Sequence, residues 1–483
     1  MQETGKKGGR LSFLLKLSYG AGNLGYGAAF QVLTMYALFY ATEVLGLSGI
    51  VAGAIISAGT FIDALVDPLI GHVSDVTRSR RFGRRHAYLL FGGIGMAVCI
   101  TLFWLAPWFF PLRQPTGTAA VTVWFAVWLL LFRLFSTVFA MPYNALSAEL
   151  CEDYDERTAL QGYKTAFFVV GLLFPSAVIT TFFFRATPDF AQGQLNPAAY
   201  PPMGILLGAM ALILSLISFA GTFRRIPHLP KAPDSDMGKG YLKKLYLSLL
   251  AALKNRDFSH VAFSYLFINI AAALVSGLGL YVMTQAFRMD NFEIALVFGP
   301  TFVCAVASQP LWWAVSKKLD KKPAMLLAIA STVLGILYML AMLFIRESVM
   351  GKPFAFIPFM LLAGVGIGGV LTMPSSMVAD TIDKTELETG RRTDGTFFGM
   401  LTFLYKLSQA AAMMVVGALV DTIKLESESA HTSAGLPLGL VLCIGCVVSL
   451  AAGAALAAGY KLTKQQVSEI QQGLEEKRKA RGT

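Results

Sequence analysis

The chain has 483 residues, of which 55% are hydrophobic and only 14% are charged, and its mean hydropathy is +0.60. Soluble domains carry about 25% charged residues, so the composition argues against a soluble enzyme or binding domain and indicates a protein embedded in a lipid bilayer. The formal net charge of +11 is therefore interpreted as the charge bias of membrane loops, and no nucleic-acid partner is expected.

Apolar runs of about 20 residues can cross the bilayer as helices, and the chain contains twelve such runs. In the first half, the predicted spans are 13–41, 50–74, 87–110, 118–144, 163–184 and 203–223. In the second half, they are 258–287, 292–315, 324–345, 354–379, 396–420 and 435–460. The sequence therefore predicts an all-α membrane protein with twelve transmembrane helices.

The positive charges are distributed asymmetrically between the predicted loops. Together with Lys16 and Lys164 at the adjoining span ends, the two termini and the even-numbered loops hold 32 of the 40 Lys and Arg residues, whereas the odd-numbered loops hold six. Positively charged loops stay on the cytoplasmic side, so both termini are expected in the cytoplasm. The protein itself is expected in the cell (inner) membrane. Because residues 1–10 are polar and basic, no cleavable signal peptide is expected.

A polar stretch at 224–257 divides the chain into halves at 1–223 and 258–460, with a polar tail at 461–483. Leucines at 242–253 recur with helical spacing, which predicts an amphipathic helix that lies on the membrane surface or packs against the bundle. The halves also share a motif. Met141-Pro142 ends span four, Met373-Pro374 ends span ten, and each is followed by a loop rich in both charge signs. This repeat indicates two six-helix bundles with the substrate between them.

Two acidic residues, Asp63 and Asp67, lie inside the second predicted span. A carboxylate at bilayer depth costs about 3 kcal/mol on insertion scales, and residues four apart share one helix face. The pair therefore predicts a cation or proton site, because carboxylate oxygens suit hard ions and can exchange a proton. The alternative is a structural pair held by a basic residue on a neighbouring helix.

Several motifs resemble one family of membrane proteins. The loop after span two has glycine and aspartate followed by arginines, as in the signature loop of the major facilitator superfamily. The narrower matches are Asp63-Ala-Leu-Val-Asp-Pro-Leu-Ile-Gly71, Met141-Pro-Tyr-Asn-Ala-Leu146, Asp155-Glu-Arg-Thr158, Ala379-Asp-Thr-Ile-Asp383, Gly390-Arg-Arg392 and Gly395-Thr-Phe-Phe-Gly399. From span one through span eleven, the chain resembles the glycoside–pentoside–hexuronide:cation symporter family, whose reference members are the bacterial melibiose carriers.

The resemblance implies a set of cation-site residues. Asp63 and Asp67 match the family's cation-binding carboxylates, Thr137 matches its hydroxyl ligand, and Lys406 matches a lysine that approaches the site. These oxygens suit sodium or a proton relay, while Lys406 would neutralise the empty site unless it extends to the membrane surface instead. Sodium-using members often carry Asn at the position of Val66, so sodium and protons both remain open as the coupling ion. No other cofactor is expected.

Other residues are assigned to the substrate and to the gate. The candidate substrate-binding residues are Tyr26, Arg133, Lys164 and Asn144, and the candidate gating residues are Asp75, Arg84, Arg85, Asp380 and Arg391. The acidic sugar-binding residues of melibiose carriers are missing here, near Gly25–Gly27 in span one and at Ala140 in span four. Arg133 lies within span four, where it either pairs with Glu149 or an intramembrane acid, or binds an anionic group of the substrate.

These observations predict a monomeric secondary transporter that couples a cation gradient to symport of a sugar, glycoside or related small solute. A second hypothesis keeps the transport mechanism but changes the substrate to an amphipathic or lipid-like anion, such as a lysolipid. A third, a membrane enzyme or sensor, is not supported, because the sequence contains no nucleophile–base pair or metal cluster. The five cysteines also show no metal-ligand spacing with the five histidines.

Overall fold

The computed structural model describes residues 11–110, 118–150, 154–229, 247, 249–390, 394–423 and 431–481. Within these ranges the chain forms helices and connecting loops, without a β-strand. It divides into two compact units, Met1–Gly238 and Lys239–Thr483, and the division falls within the polar stretch at 224–257. The finer domain boundaries stay predictions. The predicted amphipathic helix at 242–253 lies largely outside the described residues.

The long helices of the first unit, over its described residues, are α1 (Phe13–Phe39), α2 (Gly49–Val76), α3 (His86–Trp104), α4 (Thr118–Leu150), α5 (Tyr154–Phe174) and α6 (Tyr200–Phe223). Serine hydroxyls cap two of them. Ser12 accepts a hydrogen bond from the backbone of Leu15 at the start of α1, and Ser48 accepts one from Val51 at the start of α2. Helix α1 packs on α5 and α6, α3 packs on α4 and α6, and α2 packs on α4. The last contact positions the candidate site.

The helices of eleven or more residues in the described part of the second unit are α7 (Arg256–Tyr281), α8 (Asn291–Ala307), α9 (Gln309–Leu319), α10 (Lys321–Phe344), α11 (Ile357–Thr389), α12 (Asp394–Thr422), α13 (His431–Ala458) and α14 (Lys464–Arg481). Asn255 caps α7, and Asp290 forms a capping box with Glu293 at the start of α8. Helix α10 packs on α11, α13 packs on α7, and both α8 and α14 pack on α11.

Nine single helices among the described residues are long and apolar enough to cross a membrane, or up to ten spans if α8 and α9, which bend by 44°, count as one. The remaining predicted spans also coincide with helices. Glycines, tyrosines and polar residues such as Asn23 and Gln31 lower the hydropathy of α1. In span five the apolar α-helix is short, Ala159–Phe174, and continues as a π-helix at Pro175–Phe183. The all-helical class is confirmed, and the count of twelve stays a prediction.

Candidate functional site

Two side-chain contacts join α2 to α4, one helical turn apart, and together they form what we name the α2–α4 ladder. Asp63 accepts a hydrogen bond from the guanidinium of Arg133, with 3.1 Å between Oδ2 and Nη1. Asp67 accepts a hydrogen bond from the hydroxyl of Thr137, with 2.8 Å between Oδ1 and Oγ1. All four residues are at most 8% exposed. The structure therefore brings three predicted cation-site residues together with one predicted substrate residue.

The spacing of the residues explains the ladder. Positions 63 and 67 are four apart on α2, and positions 133 and 137 are four apart on α4, so each pair occupies one face of its helix. Residue 63 contacts residue 133, and residue 67 contacts residue 137, so the two helices run in the same direction along this contact. Charges inside apolar helices require partners because water is not available to solvate them. The ladder supplies those partners.

The structure identifies the acidic partner of Arg133. The partner is the intramembrane acid Asp63, and the alternative pairing with Glu149 is wrong, because Glu149 is contacted by Arg84 and Arg85. Arg133 is 6% exposed, and its Nε has no hydrogen-bond partner among the described residues. The guanidinium therefore has an N–H donor, beside the ion pair, that is not used in a hydrogen bond. A role for Arg133 in binding an anionic group stays a prediction.

Aromatic residues of α1 lie against the ladder. The guanidinium carbon of Arg133 lies 5.0 Å from the centroid of the Phe30 ring, a distance at which a cation and an aromatic face attract each other. Tyr26, a predicted substrate residue, stacks on Phe30 with 5.7 Å between ring centroids. Phe30 is not among the predicted site residues, although its spacing of four from Tyr26 puts both rings on one face of α1.

A second polar cluster joins α1, α4 and α5. Tyr19 and Tyr143 stack at 4.5 Å, and each donates its hydroxyl to the backbone carbonyl of the other, at 2.8 and 2.6 Å. The ammonium of Lys164 lies 5.9 Å from the ring of Tyr143, and Asn23 donates to the backbone carbonyl of Lys164 at 3.0 Å. Asn144 is exposed. The predicted substrate roles of Lys164 and Asn144 stay predictions.

The predicted gating residues of the first unit form one network at the ends of α2 and α4. The carboxylate of Glu149 accepts hydrogen bonds from Arg84 at 2.7 Å and from Arg85 at 2.9 Å. Arg85 also donates to the hydroxyl of Ser74 and forms an ion pair with Asp75. Arg85 is only 4% exposed, so three acceptors compensate its buried charge. Glu149 belongs to this network although the sequence analysis does not assign it to the gate.

The remaining candidate residues lie in the second unit or outside the described residues. The ammonium of Lys321, at the start of α10, lies 2.7 Å from both carboxylate oxygens of Asp380 on α11. Arg391 lies outside the described residues. Lys406 lies half-buried on α12. Because Lys406 belongs to the second unit and the ladder to the first, its approach to the carboxylates stays a prediction.

Comparison with known proteins reveals relatives over nearly the whole chain. The family described as MFS/sugar transport protein matches residues 18–464. An uncharacterized symporter of Synechocystis is 26% identical and aligns over 85% of this chain and 86% of its own length. The sphingosine-1-phosphate transporter MFSD2B of Mus musculus is 23% identical, with 92% and 88% covered. A putative sulfoquinovose importer of Salmonella typhimurium is 24% identical, with 97% and 94% covered.

Solved structures share the fold. The crystal structure of a D-xylose–proton symporter superposes with a TM-score of 0.62 and covers 93% of this chain and 99% of that one. The two sequences are only 14% identical, so the likeness concerns the fold and not the substrate.

Proposed function

Because the chain belongs to the family of MFS/sugar transport proteins, we propose that it is a secondary transporter in which a cation, sodium or a proton, moves together with a small solute such as a sugar or glycoside. The family membership confirms the resemblance drawn from the sequence motifs. The family consists of transporters and not of enzymes.

The α2–α4 ladder supports a coupling cation. Asp63, Asp67 and Thr137 offer two carboxylates and a hydroxyl within one helical turn, all buried among apolar helices. Hard oxygen ligands of this kind suit sodium, and buried carboxylates also exchange protons. With two carboxylates and one guanidinium, the ladder has a net charge of −1 when all three groups are ionised, which favours binding of a positive charge. This arrangement is the observation that carries the proposal.

The mechanism follows from the architecture of the family. We propose that both termini lie on the cytoplasmic side and that the twelve helices form two bundles that operate by alternating access. The pairs of Glu149 with Arg84 and of Asp380 with Lys321 then act at cytoplasmic helix ends, where they break and re-form as the inward gate opens and closes. Lys406 is proposed as a second positive charge that serves the empty cation site.

The candidate solutes include molecules with an acidic group. The sulfoquinovose importer and the sphingosine-1-phosphate transporter are both named for molecules that carry an acidic group. We therefore include sugar acids and sulfonated sugars among the candidate solutes, beside neutral glycosides. A lysolipid anion is the second candidate, since it would also present an acidic headgroup, and the assay below separates the two.

The test is uptake into proteoliposomes that contain the purified protein. Labelled glucose, glucuronate, sulfoquinovose and a lysophospholipid are each offered with an inward sodium gradient, an inward proton gradient or no gradient. We expect one gradient to drive accumulation of a sugar-type solute. Asp67→Asn should abolish accumulation yet permit exchange of labelled for unlabelled solute. Accumulation by Asp67→Asn, or uptake that ignores both gradients, would contradict the proposal, and uptake of the lysophospholipid alone would favour the second candidate.

A further inference from the structure

Arg133 differs from an ordinary structural partner because its bonding capacity is only partly used. A guanidinium carries five N–H donors in a planar fork that can hold a two-oxygen anion with two parallel hydrogen bonds. In the ladder, Nη1 binds one oxygen of Asp63, while Nε has no hydrogen-bond partner among the described residues although the side chain is 93% buried. An unsatisfied buried donor is costly. An acceptor brought by a ligand would remove that cost.

The charges of the ladder restrict which ligands can bind together. Two aspartates and one arginine give the empty ladder a net charge of −1 when all three are ionised. A cation alone changes this to zero, and an anionic substrate alone changes it to −2, which a low-dielectric site disfavours strongly. A cation and a monoanionic substrate together restore −1. The anion is therefore admitted only with the cation.

We propose that the Arg133–Asp63 ion pair couples the two ligands. When both bind, the ion pair opens, and each of its members binds one ligand instead of the other member. The acidic group of the substrate, a carboxylate or sulfonate, takes the guanidinium of Arg133. The carboxylate of Asp63 that is thereby released joins Asp67 and Thr137 as a ligand of the cation. Each ligand binds one half of the ion pair, so each favours the binding of the other, as linkage requires.

The surroundings of Arg133 fit this exchange. The ring of Phe30 attracts the guanidinium from the side of α1, with 5.0 Å to its centroid, so Arg133 keeps one favourable contact while its carboxylate partner is replaced. Tyr26, stacked on Phe30, adds an aromatic surface on which a sugar ring can pack. The inference rests on the proposed symport, but it adds the role of the ion pair in linking the binding of the two ligands.

The experiment measures equilibrium binding to the purified protein of D-glucuronate, the acidic probe, and of D-glucose, its neutral counterpart. Binding is measured with and without sodium, at acidic and alkaline pH. Wild type should bind glucuronate at least tenfold more tightly with the coupling cation than without it, and should prefer glucuronate to glucose. Asp63→Asn frees the guanidinium, so glucuronate should bind as tightly without the cation as wild type does with it.

Three further variants complete the test. Arg133→Gln should lose the preference for glucuronate, and it should bind the cation at least tenfold more tightly without a probe, because the internal competitor for Asp63 is gone. Arg133→Lys keeps the charge without the fork and should restore only part of the preference. The double variant Asp63→Asn/Arg133→Gln leaves neither charge of the pair buried without a partner, so it guards against misfolding. It should bind glucuronate and glucose alike.

The outcomes separate the inference from the proposed function. If wild type shows cation-dependent accumulation but Asp63→Asn still requires the cation to bind glucuronate, the exchange of partners is overturned and the symport proposal stands. If Arg133→Gln keeps the preference for glucuronate, Arg133 is only a structural partner. If wild type shows neither cation-dependent binding nor accumulation of any probe, the proposed function itself fails.

Discussion

Corresponding helix pairs of the two units are held together in different ways. In the first unit, α2 meets α4 through the carboxylates, guanidinium and hydroxyl of the ladder. In the second unit, the pair at the same places in the order of spans, α8 and α11, meets through glycines. A Cβ atom at Gly364 would lie 2.7 Å from the carbonyl oxygen of Thr301, and one at Gly368 would lie 2.4 Å from that of Ala305. Both α4 and α11 contain the Met-Pro motif. The two halves therefore share these helices, but the side chains that join the helices differ.

This difference separates an interface that can change its partners from one that cannot. Helices that touch through backbone atoms leave no room for a ligand, and their contacts are lost altogether if they move apart. Polar contacts such as those of the ladder can be exchanged for contacts with an ion or a solute. We therefore assign the response to ligands to the first unit, and a more rigid role to the α8–α11 interface of the second.

The largest effect is expected at the charged networks near the helix ends. Glu149→Gln removes the charge that faces both Arg84 and Arg85, and breaking a buried pair in this way costs about 3–5 kcal/mol. Asp380→Asn is the matched variant in the second unit. It should cost less, because the side chain of Lys321 is 29% exposed and can reach water. Thermal unfolding of both purified variants checks the difference, and equal losses of Tm would contradict it.

The next effect tests the glycine interface. Gly368→Ala places a methyl group against the backbone of α8, and we expect a loss of roughly 1–3 kcal/mol in the free energy of unfolding. Gly59→Ala is the control on α2, where the new Cβ would meet the tip of the flexible Leu129 side chain at 3.0 Å. That variant should be close to neutral, since Ala also favours the helix. Comparable destabilisation of the two variants would remove the contrast between the interfaces.

A smaller effect is expected from single hydroxyls. Thr137→Val deletes the donor to Asp67 and a potential ligand of the cation, so cation affinity should fall about tenfold, the equivalent of one charge-assisted hydrogen bond. Thr301→Val is the control in α8, since the hydroxyl of Thr301 bonds only the backbone of its own helix in the contacts described, at 2.7 Å from the carbonyl of Val297. A titration of each variant with the coupling cation provides the measurement. If Thr301→Val lost more cation affinity than Thr137→Val, the cation would have to bind elsewhere.

The smallest effect is expected at Lys406. Arg133 already pairs with Asp63, so a second positive charge would change the ladder less than the first. Lys406→Ala should therefore raise cation affinity by less than about fivefold, because it removes only a competing charge, and Lys406→Arg should leave the affinity unchanged. Cation titrations compare the two. Loss of cation binding in Lys406→Ala would instead show that the second unit contributes directly to the ion site.

The sequence contains the elements of the site but not their pairing. Asp63 and Asp67 could be predicted because helical spacing and an apolar environment are local properties of the chain, whereas Thr137 is predicted only through the family resemblance. The partner of Arg133 could not. Glu149 lies 16 residues away on the same helix, about 24 Å along its axis, which leaves Asp63 and Asp67 on α2. The choice between them depends on the rotation and register of α4 against α2, which only the packed bundle determines.

The same reason explains the residues that the sequence analysis passed over. Phe30 on α1 lies beside Arg133 on α4, and nothing in the spacing of α1 itself indicates that neighbour. Glu149 joins the arginine network through the proximity of two helix ends. The approach of Lys406 to the carboxylates depends on the relative position of the two units, so local sequence indicates it even less directly.

The wide separation of the ladder residues along the chain matters during biosynthesis. Asp63 and Asp67 each precede their partners by 70 residues, so the ribosome delivers α2 to the membrane before α4 exists. Each uncompensated acid then costs about 3 kcal/mol at the bilayer centre. We therefore expect the nascent α2 to be in contact with water or protein until α4 is inserted. A chain whose synthesis stops between the two helices would expose two carboxylates to cellular quality control.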